Sequence, residues 1–199
     1  MVKESISIHA LTFSALSNGG AKIVLSHFAW ARAFEPMSES VENQGIGGSI
    51  GACVNGGASV GFMLPFSPQD AEPFWRAVAE AADEGGTIHV VAEVDGKVAG
   101  TVQVGLASKP NQPHRGDLMK LLVHPSARGL GLARKLMQKV EEETAARGRT
   151  LLVLDTATGS DAEAIYPRLG WERVGVIPDY ALFPDGRYCG TTLFYKRIG

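Results

Sequence analysis

Cysteine is nearly absent: the chain of 199 residues has two, Cys53 and Cys189, with no Cys-x-x-Cys pair and no histidine at metal-ligand spacing. That excludes a disulfide framework and the common zinc patterns, leaving two isolated thiols of the kind that pack into a core. An excess of one charge is lacking too. Lys and Arg number 19 against 21 Asp and Glu, a net charge of −2, so nothing favours the phosphate backbone of a nucleic acid. No run approaches the ~18 to 20 apolar residues needed to span a bilayer. The opening MVKESISIHALTF is broken by Ser, Glu and His where a secretory signal would be continuous. The expectation is a cytoplasmic protein without nucleic-acid or membrane partners.

What is present is an ordinary globular composition, 45% hydrophobic and 20% charged, on a chain long enough for one domain with a core of its own. Glycine is the surplus, at 24 residues. It gathers in two places, GIGGSIGACVNGGASVGF (Gly45 to Phe62) and ARGLGLARKLM (Ala127 to Met137), which compete as a phosphate-binding loop.

The first forty-odd residues give weak signals: strand-like alternation over 5–13, helical potential over 21–34, and a flexible polar segment over 38–49. From Ser67 the signals sharpen. Ser67 as N-cap and Pro68 at the first helical position open a helix that Gly85 and Gly86 stop. TIHVVAEV and KVAGTVQVGL, joined by Asp95-Gly96, read as a β-hairpin. A strand over 117–124 stops at Pro125, and a helix with Leu132, Leu136, Met137 and Val140 on its core face runs to about Gly148. A buried strand over 151–155, a helix over 161–170, a strand over 171–177, a loop over 178–190 and a last strand over 191–198 complete the chain. The hairpin demands an antiparallel pair and the strand-helix-strand unit a parallel one, so the sheet is mixed and the class is α/β (α+β). A doubly wound dinucleotide fold would need successive parallel crossovers, and the order of elements argues against it.

Context decides between the glycine clusters. A helix N-terminus favours an anion because its first N–H groups lack partners and the dipole places positive charge there. Arg128-Gly129-Leu130-Gly131-Leu132-Ala133 follows a strand and a tight turn and opens a periodic helix. Gly45 and Gly47 begin a Gly-x-Gly-x-x-Gly count whose third position is Ile50, with no clear strand before it. The first cluster is therefore read as a glycine-tolerant loop, irregular over Gly45–Gly51, whose second half, NGGASVGFM, helps shape a substrate pocket with Phe62 and Met63 packed nearby.

LLVHPSARGLGLARKLM (Leu121 to Met137) resembles the acetyl-CoA signature of the GCN5-related N-acetyltransferases, Arg/Gln-x-x-Gly-x-Gly/Ala after a strand and a Pro-containing turn, filled by Arg128, Gly131 and Ala133. Downstream, Tyr166 and Leu169-Gly170-Trp171 fit as well, and the resemblance covers about residues 87–198. NGGASVGFM, HPSARGLG and LDTATGSDAEAIYPRLGW are similar to the tabtoxin-resistance type within that family.

The resemblance implies a mixed, mostly antiparallel sheet whose one parallel pair splays around acetyl-CoA, with helices on both faces. It implies acetyl-CoA as cosubstrate, with Leu121, Leu122 and Val123 along the pantetheine and thioester and Arg128, Gly129, Leu130, Gly131, Leu132 and Ala133 at the diphosphate. It also implies Tyr166 as proton donor to the CoA sulfur. Asp155, at a strand end, reads either as a group for the substrate ammonium or its proton, or as a turn or N-cap aspartate. Asp117 and Glu93 are candidates for a water-linked base, each also readable as a plain strand-end charge. Histidine as a residue type suits acid–base work, but His114 and His124 read as solvated loop residues. The expected activity is direct acetyl transfer through a tetrahedral intermediate to a small amine or amino-acid-like compound, such as a toxin or antibiotic. The alternatives are a catalytically silent acyl-CoA-binding module and a peptide or protein N-acetyltransferase. The family also admits a homodimer.

Overall fold

The structure, a computed structural model, describes residues 15–18, 21–27 and 46–199. Its strands are β1 (Ala15–Asn18), β2 (Ala21–His27), β3 (Thr87–Val94), β4 (Lys97–Leu106), β5 (Arg115–Val123), β6 (Leu151–Ala157), β7 (Glu172–Leu182) and β8 (Tyr188–Arg197). The helices are α1 (Ile46–Asn55), α2 (Pro68–Asp83) and α3 (Leu132–Ala146), with short 3-10 turns at Pro125–Ala127 and Pro167–Leu169. The strands form one sheet in the order β1-β2-β3-β4-β5-β6-β8-β7, antiparallel throughout except between β5 and β6. No helix of the described residues is long and apolar enough to cross a membrane.

The period of two along each strand distributes side chains to two cores. Ile88, Val90 and Ala92 of β3 join Leu132, Leu136, Met137 and Val140 of α3 on one face, while Val91 joins Ile50, Val54, Trp75 and Val78 of α1 and α2 on the other. The β3–β4 hairpin turns at Asp95 and Gly96, with φ of 50° and 78°, the paired positive values that this tight turn requires.

Several sequence expectations need correction. The strand expected over 5–13, residues 28–34 of the helix expected over 21–34 and residues 38–45 of the polar segment expected over 38–49 lie outside the described residues. Residues 21–27, expected to be helical, form β2, which pairs antiparallel with β3 from Ile23 opposite Val94 to His27 opposite Val90; pairing with an open strand overrides weak local preference. Gly45–Gly51 was expected to be irregular, yet Ile46–Asn55 is α-helical. Ile50, Cys53 and Val54, at i, i+3 and i+4, are buried against α2 and the sheet, and that packing outweighs the roughly 1 kcal/mol each interior glycine costs.

The helix expected over 161–170 is a chain of turns. Ile165 N–H donates to Ala162 O, Leu169 N–H to Tyr166 O and Gly170 N–H to Pro167 O, all i to i−3, because Pro167 has no N–H to continue an α-helical ladder. The strand expected to end at 177 continues to Leu182. An irregularity between Ile177 and Ala181 absorbs Pro178, with Asp179 at φ 51°. Most of the expected loop is thus a long β7–β8 hairpin, closed where Phe183 N–H donates to Arg187 O at 2.8 Å.

Candidate active site

The parallel pair is short. Arg115, Gly116 and Asp117 of β5 lie opposite Leu151, Leu152 and Val153 of β6, and the pairing stops there. Beyond that rung β5 stays with β4 as far as Val123 opposite Gly100, and β6 stays with β8 as far as Ala157 opposite Thr191. The two strands diverge, leaving a V whose facing edges carry backbone groups that an inserted chain can bond. On the β5 side lie Leu121, Leu122 and Val123, with Leu122 buried and the other two half-buried. A β-bulge sits just before them: Thr101 pairs with Leu122 but Gln103 with Met119, and Lys120 in the extra residue's place takes φ 53°.

At the open end of the V the chain makes the turn Pro125–Ala127, passes exposed Arg128 and enters α3. Gly129 and Gly131 have φ of 84° and 73°, and a Cβ on either would meet nothing within 4 Å. Glycine is therefore required by backbone conformation, and the space around the turn is open. Gly131 O accepts from Lys135 N–H at 3.2 Å, so the amides of Leu132, Ala133 and Arg134 precede the first helical hydrogen bond and have no partner within the helix. The first turn of α3 carries no acidic residue. A helix start of this kind, beside Arg128 and Arg134, suits a diphosphate. Leu130 is half-buried and Leu132 and Ala133 sit inward of the turn, Leu132 within the core.

Tyr166 is 5% exposed, its ring against Trp171 and Phe194 at centroid distances of 6.0 and 5.5 Å. Burial pushes its phenol up to about 12, a hydrogen bond with the Thr156 side chain opposes this, and the charge of Asp155 adds to it. The hydroxyl thus lies beside β6, protonated throughout the working range. Its turn is anchored to α3 through Glu141, which accepts from Trp171 Nε1 at 3.2 Å and from Lys196 Nζ at 2.7 Å, while Lys196 also donates to Leu169 O at 2.8 Å.

Asp155 lies within β6, two residues past the last rung, and accepts from Thr191 Oγ1 at 2.9 Å. Because β6 runs on to Ala157 and turns follow it, Asp155 does not stand at a helix N-cap. Asp117 stands apart, at the closed end of the V, with Arg115 Nη2 3.1 Å from its carboxylate. Glu93 lies on β3, and His124 accepts from Ser126 N–H in the 3-10 turn. The structure therefore places the Tyr166 hydroxyl beside Thr156 on β6, within reach of the charge of Asp155, and leaves Asp117 at the closed end of the V.

Lys120 escaped the sequence reading. Its ammonium donates to Val60 O and lies 5.4 and 5.3 Å from the ring centroids of Phe62 and Phe74. Burial lowers its pKa from the ordinary lysine value, and Asp155 across the gap partly restores it. The segment that Lys120 holds also crosses the V. Ser59 Oγ donates to Leu182 O and Leu64 N–H to Pro184 O, each at 3.1 Å, so the α1–α2 loop touches both β5 and the tip of the β7–β8 hairpin. Phe62 packs on Phe66 and Phe74, whereas Met63 is 46% exposed. Among the described residues, cavities open beside the V. One of about 400 Å³ lies between the β3–β4 turn and His124 to Leu130. Another, about 260 Å³, lies between α3 and the turn after Tyr166 and is lined by Arg134, Arg168 and Lys196.

A sheet parted at one parallel pair, with a helix start suited to an anion at the open end, offers an extended, phosphate-bearing molecule a place between two strands. The sequence pattern of the acetyltransferase (GNAT) family matches residues 60–171, and the chain belongs to that family. Solved structures share the fold. The Salmonella typhimurium protein yncA, solved with its cofactor acetyl-CoA, is 19% identical with a TM-score of 0.69, over 89% of this chain and 94% of that one. An N-acetyltransferase of Staphylococcus aureus Mu50 is 18% identical at 0.68, over 92% and 100%. The ribosomal-protein-alanine N-acetyltransferase of Brucella melitensis is 20% identical at 0.67, over 87% and 99%. The protein is an N-acetyltransferase with acetyl-CoA as cosubstrate, and the open turn at Gly129 and Gly131 and the unpaired edges of β5 and β6 fit that molecule.

Proposed function

We propose that the chain acetylates the amine of a small molecule or amino-acid-like compound, a class that includes toxin and antibiotic amines of the tabtoxin kind. The observation that supports this reading is the bridge from the α1–α2 loop to the β7–β8 hairpin through Ser59 and Leu64. It spans the acceptor side of the V, where a peptide substrate would need an open groove.

In this reading Arg128 and the backbone of Gly129 to Ala133 hold the diphosphate, and the β5 edge at Leu121 to Val123 aligns the thioester and offers donors to its carbonyl oxygen as negative charge develops. Asp155 receives the acceptor ammonium and takes its proton, directly or through water; Asp117, tied to Arg115, acts at most through a longer water path. Tyr166 supplies a hydrogen bond to the departing sulfur. With a phenol near 12 and an ordinary thiol near about 8.5, the hydroxyl favours donation over full surrender of its proton. Thiol release from acetyl-CoA against amino acids, polyamines, aminoglycosides, β-lactam amines and peptides tests the reading. Turnover of small amines is expected. Turnover of peptides alone would establish the peptide alternative, and CoA binding without any turnover the silent module.

A further inference from the structure

The bulge of β5 draws a cation out of water, and among the described residues no carboxylate pairs with it. An ammonium that loses hydration needs compensation, and the Val60 carbonyl and the ring faces of Phe62 and Phe74 supply only partial charges. Among the described residues no carboxylate lies within 4.0 Å of Lys120 Nζ. An ammonium has three donors, and Val60 takes one. The carboxylate whose charge reaches Lys120 is Asp155, on the far side of the V. The acceptor side is thus bracketed by opposite charges, a cation on β5 and an anion on β6, beneath the bridge formed by Ser59 and Leu64.

We infer that Lys120 anchors a carboxylate of the acceptor, so that the substrate is a zwitterion of amino-acid type with its carboxylate on Lys120 and its amine toward Asp155. The inference rests on the small-acceptor reading above and sharpens it. Polyamines and aminoglycosides, which carry no carboxylate, would leave the anchor unfilled, as would the N-terminus of a peptide. The rival role for a desolvated lysine is that of a neutral base. Arginine separates the two, because it keeps the charge and does not deprotonate.

The experiment measures thiol release with each common amino acid and its matching α-amide, in wild type, Lys120→Met and Lys120→Arg. Wild type is expected to favour acids over amides by about 10- to 100-fold in kcat/KM, the range for a hydrogen bond to a charged group. Lys120→Met should collapse that ratio toward one, chiefly through KM for the acids, and Lys120→Arg should keep most of it. Unchanged CoA affinity and circular dichroism certify the variants; if Lys120→Met fails to fold, Lys120→Gln replaces it. Amides used as well as acids, a ratio indifferent to Lys120→Met, or loss of activity in Lys120→Arg as complete as in Lys120→Met would each overturn the anchor. Turnover of polyamines or aminoglycosides without amino acids would overturn it while leaving the small-acceptor reading intact. Turnover of peptides alone, or of nothing, would remove both.

Discussion

Asp117 faces Val153 across the last rung between β5 and β6, and beyond this pair the strands part. Gly116, one residue earlier, is the tightest position of the joint. A Cβ there would stand 2.6 Å from Val104 Cγ1 and 3.1 Å from Leu152 Cδ2. Gly116→Ala should cost about 1–3 kcal/mol through overpacking, lowering the thermal midpoint by several degrees and raising the Kd for CoA. A melt and a CoA titration check both.

Gly131 takes φ 73° in open space, so substitution there meets strain without a clash. Gly131→Ala should weaken CoA binding and cost about 1–2 kcal/mol of stability. Gly131→Asn should do less, since asparagine tolerates the left-handed region. Equal effects of the two in a CoA titration would mean that the turn needs the missing side chain rather than the backbone conformation.

Tyr166→Phe removes one hydroxyl from a packed ring and should leave the fold intact. We expect kcat to fall by about 100-fold or more. Because the phenol titrates near 12, any basic limb that the wild type shows below about pH 10 belongs to another group and should persist in the variant. Wild-type kcat at every pH would remove the donor role.

Lys120 releases its proton at a lower pH in the folded chain than in the unfolded one. In the window between those two values the unfolded chain binds more protons, so stability rises with pH there and the burial cost is relieved. Wild type should therefore gain stability relative to Lys120→Met between pH 7 and the ordinary lysine range. Urea unfolding at both ends measures this; a constant difference would mean that the ammonium is effectively solvated.

Glu141 joins α3 to both Trp171 and Lys196. Glu141→Ala should cost about 1–3 kcal/mol, since it strands the Trp171 N–H and takes the carboxylate from Lys196, and should lower kcat by shifting the turn that carries Tyr166. Full kcat with reduced stability would show that the clamp serves the fold alone.

What could be read from the residues was what announces itself locally. The Asp95-Gly96 turn, the Leu132-Leu136-Val140 stripe and the glycines after Pro125 each impose a backbone geometry on their own neighbours, and the structure has all three. The failures arose where distant packing or a single atom decides. Ile50 and Val54 make a helix of a glycine-rich segment only because Trp75 and Val78 cover them. Pro167 denies one N–H and turns a helix into successive tight turns. The bulge in LMKLLV carries no mark in its composition, so Lys120 read as an unremarked strand residue, although it faces the charge of Asp155 across the gap.

The bridge of Ser59 and Leu64 to Leu182 and Pro184 has a consequence for how such an enzyme can be altered. The family pattern spans residues 60–171, so the hairpin tip lies outside the stretch that carries the cosubstrate turn and Tyr166. If the acceptor binds beneath the bridge as proposed above, selectivity for the incoming amine would be lodged partly in an appendage that can be exchanged, lengthened or reshaped while the transfer machinery stays as it is. A graft of another hairpin between Ile177 and Cys189 would re-key the entrance and leave the engine untouched.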